Sequence, residues 1–321
     1  MREQMPEYFY LYLSPDLFGL KKLVSFLEGK LPLTSPSRFN DPFDAKISFD
    51  HSNHHPDFTQ EERCAIDTKG WTEESIQWVK QQQLEQDWQK KYLGCCFSDQ
   101  WDSLLMWSHY ADAHRGFCLQ FKYSPEKVPT DCDFKPVRYS THYPRIDAAR
   151  VSELEEILLL TKSTDWMYEN EWRFFAPSAE YGTTDGFDGL LEQSPFFLEQ
   201  IYLGVCFDAT PFTYDTEGKS WKKDKVARVT TALDEFAKVY LDQTKTPDAL
   251  ELILNSLDDL RVIETEDTVQ TAEWKRSIAQ SIVTELINNH GMTVPVKKSA
   301  DTFKLVVEEK HNWVTAAKGE N

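Results

Sequence analysis

An α+β fold follows from three observations on the sequence. Strand-like and helix-like segments succeed one another without a regular βαβ repeat, which favours a mixed sheet over a doubly wound one. The stretches YFYLYLS, LGCCF, FCLQF and LEQIYLGV are dense in aromatic and aliphatic residues and have the length of strands. Beyond Phe207 the texture becomes helical. The chain of 321 residues therefore divides into a core, 1–207, and a mainly helical extension packed on it, 208–321.

Tyr8 to Ser14 reads as the first strand, ended by Ser14-Pro15-Asp16, and Leu17 to Glu28 as an amphipathic helix. The stretch LTSPSRFNDPFD is a structured loop, rich in turn residues. Thr59 to Tyr92 reads as two helices broken at Gly70, with Thr72 as N-cap of the second. Leu93 to Phe97 is a strand. A helix opens at Ser98 or Asp99, carries Leu105, Met106 and Tyr110, and stops near Gly116, after which Phe117 to Phe121 resumes a strand. Val137 to Ser140 is a short strand, Ile146 to Thr164 a helix, and Leu198 to Val205 a strand. Trp221 to Leu241, Pro247 to Leu260 and Thr268 to His290 read as helices; the last repeats Trp274, Ile278, Ile282 and Leu286 at i+4 spacing. Thr302 to Val307 closes as a strand.

With 40% hydrophobic and 27% charged residues the chain has an ordinary globular composition. Its net charge of -18 repels phosphate backbones and disfavours nucleic acid as a partner. No run of eighteen apolar residues suggests a membrane span. The start, MREQMPEYFYLYLSPD, lacks a signal-peptide pattern, and six cysteines show no CxxC spacing, so a reduced, cytoplasmic protein is expected. His51, His54 and His55 lack the helical context of a metal site, and no metal is expected.

The stretch WMYENEWRFF concentrates the chemistry. Read as one strand, it puts Glu169, Glu171 and Arg173 on one face, with the two carboxylates roughly 6.5–7 Å apart. Such acids raise one another's pKa, and Arg173 pulls it back down. The bland alternative is a solvent-facing ladder paired to a neighbouring strand. Tyr110 can lay its ring on a flat heteroaromatic group, or simply be core. In SPSRFNDPFD, Arg38 can grip a carboxylate or pyrophosphate in two-pronged fashion, held by Asn40 and Asp41, or pair with a surface acid at a tight turn. Two carboxylates also raise a glycoside or phosphoester hydrolase, although neighbours on one strand rarely reach opposite sides of a bond.

FNDPFD, CFSDQWDSLLMWSHYADAHRGFCLQF, WMYENEWRFF and IYLGVCFD, in that order, resemble a bacterial domain-of-unknown-function family (DUF 2971 type) from about Tyr8 to Phe207. More distantly, the succession resembles the ADP-ribosyltransferase superfamily: a first strand, then FS followed by a helical tyrosine, then a strand carrying a glutamate. That resemblance implies a transferase-like fold and NAD as substrate, with transfer to a protein or small-molecule acceptor, as in bacterial toxins and defence effectors. Carried over by position, it implies Glu171 as the catalytic carboxylate, Glu169 on the acceptor side, Tyr110 stacked on nicotinamide and Ser98 beside it. The superfamily places His or Arg on the first strand; here Tyr10 and Tyr12 stand there, and Arg38 is the substitute from the adjacent loop. A degenerate, non-enzymatic module whose aromatic surface binds a partner protein is the alternative.

Overall fold

Six consecutive bulky side chains, YFYLYL, favour extended backbone and form β1 (Tyr8–Leu13). The computed structural model of the chain describes residues 5–46, 48–49, 72–146, 154–181, 187–208, 280, 284, 293–299 and 304–307. Asp16 opens α1 (Leu17–Leu27), its carboxylate accepting the Gly19 N–H at 2.8 Å and so satisfying a first-turn donor. β2 (Leu31–Leu33), a 3₁₀ turn (Pro36–Arg38) and β3 (Ser48–Phe49) follow. Thr72 and Ser75 form a capping box at the start of α2 (Glu73–Lys91), which runs directly into β4 (Tyr92–Ser98). Ser103 caps α3 (Leu104–Tyr110). Next come β5 (Phe117–Tyr123), β6 (Asp133–Pro136), β7 (Arg138–Ser140), β8 (Arg145–Ile146), α4 (Leu154–Leu160) and β9 (Thr161–Ser163). A second 3₁₀ segment (Thr164–Glu169) leads into β10 (Glu171–Pro177), followed by β11 (Gly189–Leu191), β12 (Phe196–Leu203), β13 (Thr293–Lys298) and β14 (Leu305–Val307). The mixture of helices with mostly antiparallel strands is α+β.

Two compact units interleave along the chain. One takes Met1–Pro6, Gly29–Gln100 and Tyr123–Phe196; the other takes Glu7–Glu28, Trp101–Lys122 and Phe197–Asn321. In the first, β10 lies between β4 and β6, antiparallel to both, with Glu171 opposite Ser98 and Phe174 opposite both Cys95 and Phe134. Two short parallel pairs, β3 with β8 and β7 with β9, and the antiparallel pair β2 with β11 complete it. Its core is aromatic: the Phe97 and Phe196 rings stack at 4.3 Å, and Phe134 packs on Phe196 at 4.9 Å and on Trp172 at 5.5 Å. One face of β10 thus belongs to this ring cluster, leaving the other for Glu171 and Arg173.

In the second unit the sheet order is β14-β13-β12-β5-β1, with β1 antiparallel to β5. Phe9 to Leu13 are all buried, so β1 is apolar on both faces and shows no in–out alternation. Phe26 of α1 packs on Phe121 at 4.6 Å, and Tyr12 meets the buried Trp107 ring edge-on at 5.3 Å.

Several sequence expectations are corrected. The stretch Trp166–Phe175 is not one strand. It is a 3₁₀ segment to Glu169, a left-handed Asn170 (φ 47°) and then β10, because Ser163 caps a helical turn and Asn tolerates the reversal. The helix expected from Ile146 to Thr164 gives way to β9 at Thr161. The helix expected from Ser98 begins at Leu104, because Ser98 finishes β4. β13 has no counterpart among the sequence expectations; it contains Pro295, and β14 pairs only from Val296 onward, so the missing N–H is not needed on that side. Strands from either side of residue 207 share a sheet, since Ile201–Leu203 pair with Thr293–Pro295. The helices expected at Trp221–Leu241 and Pro247–Leu260, the one before Gly70, and the histidines of DHSNHHP lie outside the described residues. Of Thr268–His290, Gln280 and Thr284 are described, and both are helical.

Gly116 sits where the chain re-enters β5, and a Cβ there meets the Leu13 carbonyl oxygen at 2.1 Å and Ala111 at 3.0 Å. Backbone on both sides cannot yield. Gly116→Ala is therefore expected to lower stability by about 1–3 kcal/mol, read as a shift in the urea midpoint at unchanged m-value.

Candidate functional site

β10 begins EWRFFAP, and its period-two alternation sends Trp172 and Phe174 into the ring cluster and Glu171 and Arg173 to the opposite side. Glu171 and Arg173 are 4% and 1% exposed, so their charges need partners inside the protein. Arg173 donates from Nε and Nη2 to Glu171 Oε1 at 2.9 and 2.7 Å. Its Nη1 and Nη2 reach Asp44 Oδ1 and Oδ2 at 3.1 and 2.9 Å, a two-pronged contact, and Nη1 also donates to the Leu159 carbonyl at 2.7 Å. The Phe39 ring lies 4.8 Å from the guanidinium carbon. The loop FNDPFD thus serves this strand through Phe39 and Asp44.

Glu169 joins from a different element. The left-handed Asn170 ends the 3₁₀ segment and turns the chain, and Ser98 donates its hydroxyl to the Glu169 carbonyl at 2.7 Å. Ser98 also accepts the Gln100 N–H at 3.1 Å, so it is consumed as a backbone clamp. The Glu169 side chain, 3% exposed as a residue, accepts from Lys162 of β9, which also donates to Glu171 Oε2 at 3.0 Å and lies 4.0 Å from Asp44. The Glu171 N–H donates to the Tyr139 hydroxyl at 2.8 Å. Three carboxylates and two cations therefore share one buried cluster.

Electrostatics keeps these groups charged. Burial pushes the Glu171 carboxyl up, and Arg173 and Lys162 outweigh it, leaving the group at about 2. Burial pulls the Lys162 ammonium down, and Glu171, Glu169 and Asp44 more than reverse that, raising it. Arg173 is raised in the same way by Asp44 and Glu171 against burial. Burial, with Glu171 next to it, raises the Cys96 thiol. Lys162 also borders a cavity of about 470 Å³, whose lining includes Lys46, His142, Asp165 and Trp166.

Glu169, Glu171, Arg173 and Ser98 are brought together as one neighbourhood in the first unit. Arg38 and Asn40 are exposed in the same unit; Arg38 pairs with Asp188 at 3.0 Å across a 3₁₀ turn, and Asp188 also accepts the Ser35 N–H at 2.8 Å. Tyr12 and Tyr110 belong to the second unit. Tyr12 is buried and its hydroxyl is pushed up by burial. Tyr110, half-buried at the end of α3, accepts the Ser14 hydroxyl on its carbonyl at 3.3 Å.

Sequence reasoning missed Asp44 and Lys162. Asp44 closes the FNDPFD motif, and nothing local in that turn-rich stretch marks it as the partner of an arginine 129 residues away. Lys162 had a signal in LLLTKS, a single charge in an apolar run, but reading the run as helix left the lysine without a direction. Among the described residues no helix is long and apolar enough to cross a membrane, and no group of three or more His, Cys, Asp or Glu could hold a metal ion. No disulfide joins the five described cysteines.

Residues 106–174 match the model of a family described as Protein of unknown function (DUF2971), which bears out the resemblance to that family over this span. No curated protein and no solved structure matches the chain.

Two outcomes are expected of the cluster. Arg173→Leu leaves Asp44 and Glu171 buried without their cation and is expected to cost about 3–5 kcal/mol in urea unfolding; adding Asp44→Leu recovers part of the loss. The Glu171 pKa is depressed from its ordinary 4.5 to about 2, so the unfolded chain binds the proton first. Its contribution is complete above pH about 4.5 and lost as pH falls toward 2. Unfolding free energy measured across that window falls less steeply in Glu171→Gln than in the wild type.

Proposed function

We propose that the chain transfers ADP-ribose from NAD to a protein or small-molecule acceptor, through a transferase-like α+β fold. The observation that carries this reading is the convergence of two carboxylates, with Glu171 held ionised at the first residue of β10 and opposite Ser98 in register. In the reaction the bond between the ribose C1 and the nicotinamide nitrogen breaks, and its electron pair leaves with nicotinamide. The positive charge left on the ribose is what an ionised carboxylate stabilises more in the transition state than in the ground state. The acceptor nucleophile then bonds to C1 and loses its proton, a step assigned to Glu169. Arg173 and Lys162 preserve the ionisation, and substrate engagement exchanges the Lys162 ammonium on Glu171 Oε2 for a ribose hydroxyl. A toxin or defence role belongs to the same reading.

A second reading has its own observation. Both oxygens of Glu171 already accept from cations inside a cluster no more than 5% exposed, the pattern of a structural lock. The exposed Phe43, Trp78, Tyr143 and Met167 of the same unit then suit a non-enzymatic interaction module.

Labelled NAD incubated with the protein and candidate acceptors separates the two. The transferase reading expects nicotinamide release that falls at least about 100-fold in Glu171→Gln, with circular dichroism confirming that the variant is folded. Equal release by both proteins, or none by the wild type across the acceptors, leaves the lock.

A further inference from the structure

Three aromatic side chains that the core does not use surround the cavity beside Lys162. Phe43 and Tyr143, 62% and 44% exposed, and the half-buried Trp166 all line it. Aromatic rings left partly exposed at a concavity of about 470 Å³ offer a ligand apolar faces.

The charges decide what that ligand is. Two lysines border the cavity, and neither offers an unopposed positive charge: Lys46 is 2.9 Å from the buried Glu85, and Lys162 is held by Glu169 and Glu171. Asp165 is the one carboxylate among the described lining residues, and the carboxylates that hold the two lysines lie behind the wall. His142 lines the wall with its ring nitrogen 2.9 Å from the Thr141 hydroxyl. With both lysines already paired to carboxylates, a cation entering here meets Asp165 and aromatic faces. Trp166 already receives one cation, with Lys162 Nζ 5.0 Å from its ring centroid. Asp165 stands next to it in sequence and accepts the Ser163 hydroxyl at 2.9 Å, which leaves its second oxygen for a charge partner.

We propose that this cavity binds a methylated ammonium group, with Phe43, Tyr143 and Trp166 as its aromatic walls and Asp165 as the counter-charge. A methylated ammonium suits the walls better than a bare one, because it is weakly hydrated and presents carbon to the rings while keeping its charge. The proposal concerns binding alone and stands or falls apart from the transferase reading.

Calorimetric titration of the full chain tests it with four probes. Choline and an N-trimethyllysine peptide carry the group, and 3,3-dimethylbutan-1-ol is the neutral carbon isostere of choline; inorganic phosphate is the anion. Choline or the peptide is expected to bind at least tenfold tighter than the isostere, and which of the two binds more tightly tells a free ligand from a protein side chain. Phe43→Leu, at an exposed position that folding does not need, weakens that binding about tenfold, and Asp165→Asn weakens it severalfold. Equal affinity for the isostere, preference for phosphate, or no heat from either ammonium probe at millimolar concentration overturns the proposal. Absence of nicotinamide release leaves these titrations unchanged.

Discussion

Arg173 is a full guanidinium with about 1% of its surface in water, and the first unit is arranged around neutralising it. An uncompensated buried ion costs several kcal/mol, more than any single apolar contact in the unit returns. Its partners come from places far apart in the chain: Asp44 from the loop after β2, Glu171 from its own strand and the Leu159 carbonyl from the end of α4. Folding β10 into the sheet therefore requires three segments to arrive together. The two carboxylates would carry the balance past neutral with Glu169 added, and Lys162 brings it back toward even. Loop, helix end and sheet are joined by charge as much as by the aromatic cluster on the other face.

That arrangement sets a tension between stability and reactivity. A network in which every oxygen has a donor is rigid and specific, and a half-satisfied one is costly. Within this cluster Lys162 differs from Arg173. Its ammonium is a point charge on a flexible stem, bordering a cavity, whereas the guanidinium is locked by a two-pronged contact and a carbonyl. If any bond to Glu171 exchanges during function, it is the one to Lys162.

The fold was legible where apolar runs are dense or cap residues are plain. β1, β4, β5, α1 and the Thr72 cap of α2 all follow from side-chain pattern or cap chemistry, and so does the placing of Glu171 and Arg173 on one strand face. Glu169 shows where pattern fails. Alternation through WMYENEWRFF placed it beside Glu171 for the wrong reason: the strand starts only after Asn170, whose left-handed conformation local composition does not announce. The carboxylates converge all the same, because both answer to Lys162. Arg38 failed differently. Its chemistry suited an anion, but Asp188, some 150 residues away, claims it, and no local rule reveals a partner at that distance.

Lys162 and Asp44 carry the general lesson. A buried charge is recognisable in sequence only as an ion in apolar company, and its partner is recognisable only once topology is known. LLLTKS contains the first signal, and the parallel pairing of β7 with β9, which fixes the strand that holds Lys162, supplies the second. The same pairing sets Ser140 opposite Ser163, and both line the cavity. One three-residue strand thus holds the lysine of the ion cluster and a wall of the cavity next to it. A change at Lys162 must be felt on both sides: it removes a cation from beneath Glu171 and from above Trp166 together. Ion cluster and cavity wall therefore share a single side chain.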